Sequence, residues 1–425
     1  MLNLLMKRIL HALSTPTARS SAFYYFGNFI LSFSRYLFHL ILLRLLAPAE
    51  YGEFLSYLSL IYILGIPTGT IANVVTKFIS EFKGKGDSIA INQFFYYLLK
   101  IISPITLVLG LLLVVFSGPL AEIFKANSMA FLILGISMFI TLFQTIVNSY
   151  IIAFQKFVYQ TIVGFSGVLI TILIAIIFIK MGFGATGAVL GQLLGGAVTT
   201  VILFFSIRRS VLPQITVKRK IKFNLAGFTG YSFIYALGTA SLISTDVLLV
   251  RAFFDSHTSG LYSSLSILGR MILYGLTPLG ALVLPLAAHR HAQKTDTSSI
   301  FLKLGAVILL FGVIGAGVFS LFPTLIIRIL SGTAYLEAAP LLSYFAFSMA
   351  FLAFSQFIIS YLMAIGRPQA NIFLLISTII QPLLIVVFRT SFSAAVQANF
   401  FVQLTLFVSL MIYLFSKRLF TPKRI

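Results

Sequence analysis

The chain has 425 residues, 59% hydrophobic and 9% charged, with a mean hydropathy of +1.06. Soluble domains carry about 25% charged residues, so a water-soluble globule of this size is excluded and lipid is the solvent for most of the chain. The charges are lopsided, 30 Lys and Arg against 9 Asp and Glu for a net charge of +21. With 15% aromatics and so apolar a composition this is not a soluble nucleic-acid binder, and no nucleic-acid partner is expected. Cysteine is absent, which excludes disulfides and thiolate metal sites.

Residues 1–21 open the chain with leucines and basic residues, as suits a short helix lying on the cytoplasmic membrane surface. Lys7 and Arg8 split its apolar run, so it does not read as a signal peptide. A spanning helix needs roughly 20 mostly apolar residues. Such segments fall near 22–46, 54–80, 93–117, 129–153, 157–179 and 185–207, and again near 224–252, 261–288, 300–322, 338–364, 368–388 and 393–415. The expected fold is therefore an all-α integral membrane protein with twelve transmembrane helices.

Orientation follows from Lys and Arg in short loops, which favour the cytoplasmic side. With the N-terminus inside, nineteen of the 30 basic residues fall in inner segments and six (Arg44, Lys125, Lys180, Arg251, Arg328 and Arg389) at outer loops and helix ends. Both termini are then cytoplasmic. The densest basic stretch, Arg208 to Lys222, lies at mid-chain and divides an N-terminal six-helix bundle (22–207) from a C-terminal one (223–416), with a basic tail at 417–425.

The two bundles carry matching landmarks. SYIIAFQK (Ser149 to Lys156) closes the fourth span and SYLMAIGR (Ser360 to Arg367) the tenth, at an offset of 211. YGEFLSYLSL begins at Tyr51 and SGLYSSLSIL at Ser259, at an offset of 208. Gly65, Pro67 and Gly69 in the second span correspond to Gly275, Pro278 and Gly280 in the eighth. Two pseudo-symmetric bundles around a central cavity, with a site near the midplane, are the arrangement of alternating-access transporters. Pro67 and Pro278 mark expected helix breaks.

The two-bundle plan, LLAPAEYGEF (Leu45 to Phe54) and SYIIAFQKF resemble the multidrug/oligosaccharidyl-lipid/polysaccharide exporter superfamily, and within it the polysaccharide-transport branch of O-antigen flippases. That resemblance implies a protein of the bacterial cytoplasmic membrane, not an enzyme, that moves a polyprenyl-pyrophosphate-linked oligosaccharide from the inner to the outer leaflet in surface polysaccharide biosynthesis. The partners it implies are the lipid-linked oligosaccharide, membrane lipids, and polysaccharide polymerase and chain-length proteins. The first span lacks the mid-helix carboxylate of multidrug-type cation coupling.

Charges inside a bilayer are costly and mark function. Arg35 lies 13 residues before Pro48, roughly 20 Å along the helix and so near the midplane. Arg35 and Arg270, with Lys77 and Lys100 nearer the cytoplasmic end, are the candidate ligands for an anionic head group, because guanidinium donates two parallel hydrogen bonds to phosphate. Lys303 reads as a snorkelling side chain. Asp246 is the one intramembrane acid, and at an offset of 207 it corresponds to His39. These two are candidates for an ion pair or for coupling to H+ or Na+. Gln144, Asn148, Gln356 and Ser360 read either as sugar ligands or, more simply, as hydrogen bonds between helices. Gly187, Gly191 and Gly195 form a close-packing row. Gly182 to Gly187 fits a dinucleotide-binding pattern but has no preceding strand, and His289 and His291 lack further ligands. No cofactor, metal site, catalytic group or ATP motif is expected. The competing readings are a multidrug exporter, a glycan polymerase or ligase, and a membrane acyltransferase.

Overall fold

The computed structural model describes residues 16–211, 226–293 and 295–416. Residues 1–15 of the expected surface segment, most of the basic linker and the 417–425 tail lie outside the described residues. Among the described residues the chain is helical, with no strand. In order come α1 (Pro16–Leu45), α2 (Pro48–Leu64), α3 (Ile66–Gly84), α4 (Ser88–Val115), α5 (Ser117–Ile123), α6 (Ser128–Ala153), α7 (Phe157–Phe178) and α8 (Gly184–Val211). After the linker follow α9 (Ala226–Phe253), α10 (Ser256–Ala292), α11 (Ser298–Leu321), α12 (Pro323–Leu330), α13 (Leu342–Ala364), α14 (Asn371–Val387) and α15 (Phe392–Ser416).

Among the described residues, nine helical runs are long and apolar enough to cross a membrane. The expected first and second spans are not among them, and the fifth and sixth form one run, Phe157–Arg209. That run is two arms, α7 and α8, joined by a π-helical turn at Ile179–Phe183 in which Gly182 (φ +91) and Gly184 (φ +48) take the left-handed conformation glycine permits. The glycine-rich decoy of the sequence is thus a tight hairpin. The two arms lie against each other through the Gly187, Gly191 and Gly195 row: a Cβ on Gly191 would stand 2.6 Å from Ala175, and one on Gly195 2.0 Å from the Thr171 hydroxyl.

The second span is interrupted. α2 ends at Leu64 and α3 starts at Ile66 with Pro67 in its first turn, where the missing N–H costs nothing. The expected break at Pro278 does not occur: α10 runs unbroken from Ser256 to Ala292. Pro278 has no N–H to offer the Tyr274 carbonyl, and proline inside a membrane helix is tolerated when neighbouring groups take up the freed backbone.

The helices before and after the linker meet most closely at one end. α2 packs against α9 and α10, and Gly52 and Gly260 set how near they come. A Cβ on Gly260 would lie 1.9 Å from the Pro48 carbonyl oxygen, and one on Gly52 2.8 Å from the Gly260 nitrogen. These glycines stand at the 208-residue offset read from the sequence, so the repeat meets itself there.

Two arginines at the 207-residue offset, Arg44 and Arg251, lock the same end. Arg251 ends α9 at 2% exposure. It donates to the carbonyls of Phe124 (2.7 Å) and Lys125 (2.6 Å) after α5, to Ala49 of α2 (3.1 Å) and to the Ser259 hydroxyl (2.9 Å). Arg44 ends α1 and donates to the carbonyls of Arg328 (2.8 Å) and Ile329 in α12. Tyr335 donates to Leu46 O at 3.2 Å, and Lys125 to Phe254 O at 2.6 Å. Bonds from a charged donor contribute about 1.5–3 kcal/mol each, so this end is held shut. Because the chain lacks cysteine, the closure can be read by single-cysteine labelling. Ser56, buried one turn along α2 from Gly52, should resist an aqueous maleimide as Ser56→Cys. It should label at least about tenfold faster once Arg251→Ala removes the bonds.

Candidate functional site

Behind the closed end lies a cavity of about 480 Å³, walled by α1, α2, α6, α7 and α8. α1 and α2 belong to the expected first and second spans. α2 meets α9 and α10 at the closed end, and this open space falls within the helices preceding the linker.

Each wall follows from helical periodicity. Leu31, Arg35, Phe38 and His39 bring one face of α1 to the cavity, and Leu58, Ile61 and Tyr62 do so for α2. α6 presents Thr141, Gln144, Thr145 and Asn148 at i, i+3, i+4 and i+7, a polar stripe in an otherwise apolar helix. α8 contributes Gln192, Gly196 and Thr199.

Arg35 and His39 are the basic groups of the wall, which carries no carboxylate. The Arg35 side chain is exposed, and among the described residues it makes no ion pair and no hydrogen bond. His39 Nδ1 lies 3.2 Å from the Tyr51 hydroxyl, among the rings of Phe38, Tyr51 and Phe54.

The other sequence candidates disperse. Arg270 is buried at 1% exposure, bonded to the Ile243 carbonyl and with Nε unpartnered among the described residues. It stands within electrostatic range of His39 and of Tyr62 on the cavity wall, so it backs the cavity without opening into it. Asp246 is fully buried and accepts the Tyr262 hydroxyl at 2.9 Å, leaving Oδ1 free. It feels the charge of Arg270, but among the described residues the one ion pair within 4.0 Å is Lys85–Glu81. Lys100 is exposed on α4 away from the cavity wall. The side chains of Lys77 and Pro67 lie outside the described residues.

Sequence reading missed two things. Arg251 and Arg44 count in the sequence only among the charges of outer loops and helix ends, whereas they are backbone clamps. The available signal was their position, since basic residues expected on the outer side run against the inner bias and so call for a local reason. The amides of α6 carry two readings in the sequence, sugar ligands and, more simply, bonds between helices. In the structure Gln144, Asn148 and Gln192 line open space and bond to no described residue.

A closed end, a polar cavity within apolar helices and a free cation on its wall define a multi-pass membrane transporter. Residues 41–340 match the family described as polysaccharide biosynthesis protein, and the chain belongs to that family. No curated protein sequence matches the chain significantly. Solved structures share its fold. An inward-facing multidrug resistance MATE family transporter of the MOP superfamily superposes with a TM-score of 0.75 at 12% identity, covering 90% of this chain and 94% of that one. The lipid II flippase MurJ in an inward closed conformation gives 0.68 at 17% identity, covering 92% and 87%. An outward-facing MATE transporter gives 0.59 at 14% identity, covering 94% and 96%. The fold is thus that of the multidrug/oligosaccharidyl-lipid/polysaccharide exporter superfamily, whose members are transporters and flippases rather than enzymes.

The cavity makes a direct prediction about water. As single cysteines in the natural cysteine-free background, Thr145→Cys should react with an aqueous maleimide. Ile146→Cys, at a fully buried position on the same helix, should stay unmodified under the same conditions.

Proposed function

We propose that the protein is a flippase that carries a polyprenyl-pyrophosphate-linked oligosaccharide from the inner to the outer leaflet of a bacterial cytoplasmic membrane, in surface polysaccharide biosynthesis. The observation that carries this reading is the free Arg35 guanidinium on a cavity wall without carboxylates. A charge at membrane depth costs about 2.5–3.5 kcal/mol on insertion scales, and an unpaired one that faces a cavity is suited to an incoming anion. Pyrophosphate fits, because its oxygens accept the planar fork of guanidinium two at a time. The prenyl tail need never leave the lipid. A cationic drug would meet a wall of the wrong sign, which disfavours the multidrug reading.

In this account twelve spans form two six-helix bundles joined by the basic linker at 208–222, with both termini cytoplasmic. Clamping by Arg44 and Arg251 shuts the end away from the linker, so the cavity is reached from the cytoplasmic side. The higher similarity to an inward-facing relative than to an outward-facing one supports that state. Transport then proceeds by alternating access: substrate enters, the clamp releases, and the bundles rock about the Gly52–Gly260 contact. Arg270 and Asp246 lie behind the wall, and their exposure in the other state would give the anion a second foothold. Lys77 and Lys100 are assigned to guiding the head group from the inner surface. H+ or Na+ acting through Asp246 and His39 is the assigned coupling, and polymerase and chain-length proteins the assigned partners.

Arg35→Ala should abolish restoration of surface polysaccharide in a flippase-deficient strain while membrane abundance stays unchanged. Arg35→Lys, which keeps the charge but loses the fork, should restore it in part. Full restoration by Arg35→Ala would overturn the assignment of the anion site.

A further inference from the structure

We infer that the amide-lined part of the cavity is a glycan subsite that binds neutral, hydroxyl-rich sugar rings next to the pyrophosphate held at Arg35. The inference rests on the flippase reading and adds to it the part of the substrate this wall recognises. Gln144 and Asn148 of α6 and Gln192 of α8 face the same space and bond to no described residue. Such groups in an otherwise apolar membrane protein are left without partners unless water or a ligand supplies them.

Their chemistry selects the ligand. A carboxamide both donates and accepts, and so does a sugar hydroxyl, so three amides can follow hydroxyls whatever the direction of each bond. The neighbouring threonines add acceptors, because Thr145 and Thr199 already donate to the carbonyls of Thr141 and Gly195 at 2.8 and 2.7 Å. No carboxylate stands on the wall to hold an amino sugar, and beyond Arg35 and His39 nothing there would neutralise an acidic one. Phe38 and Tyr62 offer apolar surface to the faces of the rings. At about 480 Å³ the cavity falls within the range of small-ligand sites, about 300–1,000 Å³. That is room for the sugars nearest the lipid and not for a long glycan.

Gly196 supplies the means of testing this without disturbing the helix bundle. A Cβ there meets a single neighbour, Gln144 Oε1 at 3.9 Å, so the position opens into the cavity where Gly191 and Gly195 are packed shut. Gly196→Ala should be silent, whereas Gly196→Leu should fill the subsite.

The experiment measures binding of two probes to the purified full chain in lipid nanodiscs. One is undecaprenyl pyrophosphate; the other is the same lipid bearing a neutral N-acetylhexosamine disaccharide. The wild type should prefer the glycosylated lipid by about tenfold or more, as expected of two or three neutral hydrogen bonds. Gln144→Leu/Asn148→Leu should lose the preference while keeping affinity for the bare lipid. Gly196→Leu should do the same, and it stands in if the double variant fails to fold. Arg35→Gln should weaken both probes by one common factor. A preference that survives in the folded variants, or a wild type that binds both probes equally, overturns the glycan subsite and leaves the flippase reading intact. A folded wild type that binds neither probe overturns both.

Discussion

Everything in this fold is arranged around the approach of α2 to α10 at Gly52 and Gly260. With no side chain on either residue, the Pro48 carbonyl comes so near Gly260 that a methyl group could not be placed between them. In lipid there is little hydrophobic drive between helices, and small residues that let backbones approach are the usual source of affinity. Here that contact brings the ends of α1 and α9 within reach of the opposite backbone, so that Arg44 finds carbonyls of α12 and Arg251 those after α5 and in α2. A cavity opens among α1, α2, α6, α7 and α8.

The membrane-depth cations divide by how they are satisfied. Arg251 is saturated by carbonyls and a hydroxyl and works as a bolt. Arg270 is buried with one carbonyl bond and one idle nitrogen, close enough to Asp246 to feel its charge but not to pair with it. Arg35 makes no bond to a described residue and faces open space. A saturated arginine stabilises one state, whereas an unsatisfied one is ready to bind. The same distinction separates the amides. Gln381 is tied to the Leu242 carbonyl at 3.0 Å and to Asn399 at 2.8 Å. Gln144 and Asn148 are untied and line the cavity.

Much of the architecture could be read from the chain because apolar run length and the small-residue landmarks report directly on helices in lipid. The 208-residue offset that pairs Tyr51 with Ser259 also pairs Gly52 with Gly260, so the repeat pointed to the contact without naming it. Arg35 stands out by its depth in the first span, and the structure puts it on the cavity wall. Two kinds of feature were not. The break expected at Pro278 is absent because a proline acts through what surrounds it, and α10 continues through it to Ala292. Arg251 reads in the sequence only as a charge at an outer loop or helix end, and Gln144 reads either as a sugar ligand or as a bond between helices. Whether a polar group meets a carbonyl or open space is a property of the partners the fold supplies, and those lie more than a hundred residues away in sequence for Arg251.

The central claim is that this chain alone moves a lipid-linked glycan between leaflets. The most direct measurement places the purified protein in liposomes whose inner leaflet has been loaded with undecaprenyl-pyrophosphoryl disaccharide. Appearance of the sugar on the outer surface is then followed with a lectin or an impermeant glycosidase. The account predicts outward transfer well above that of protein-free liposomes, under an imposed proton or sodium gradient. Correctly folded protein that leaves the sugar in the inner leaflet under every gradient would contradict it.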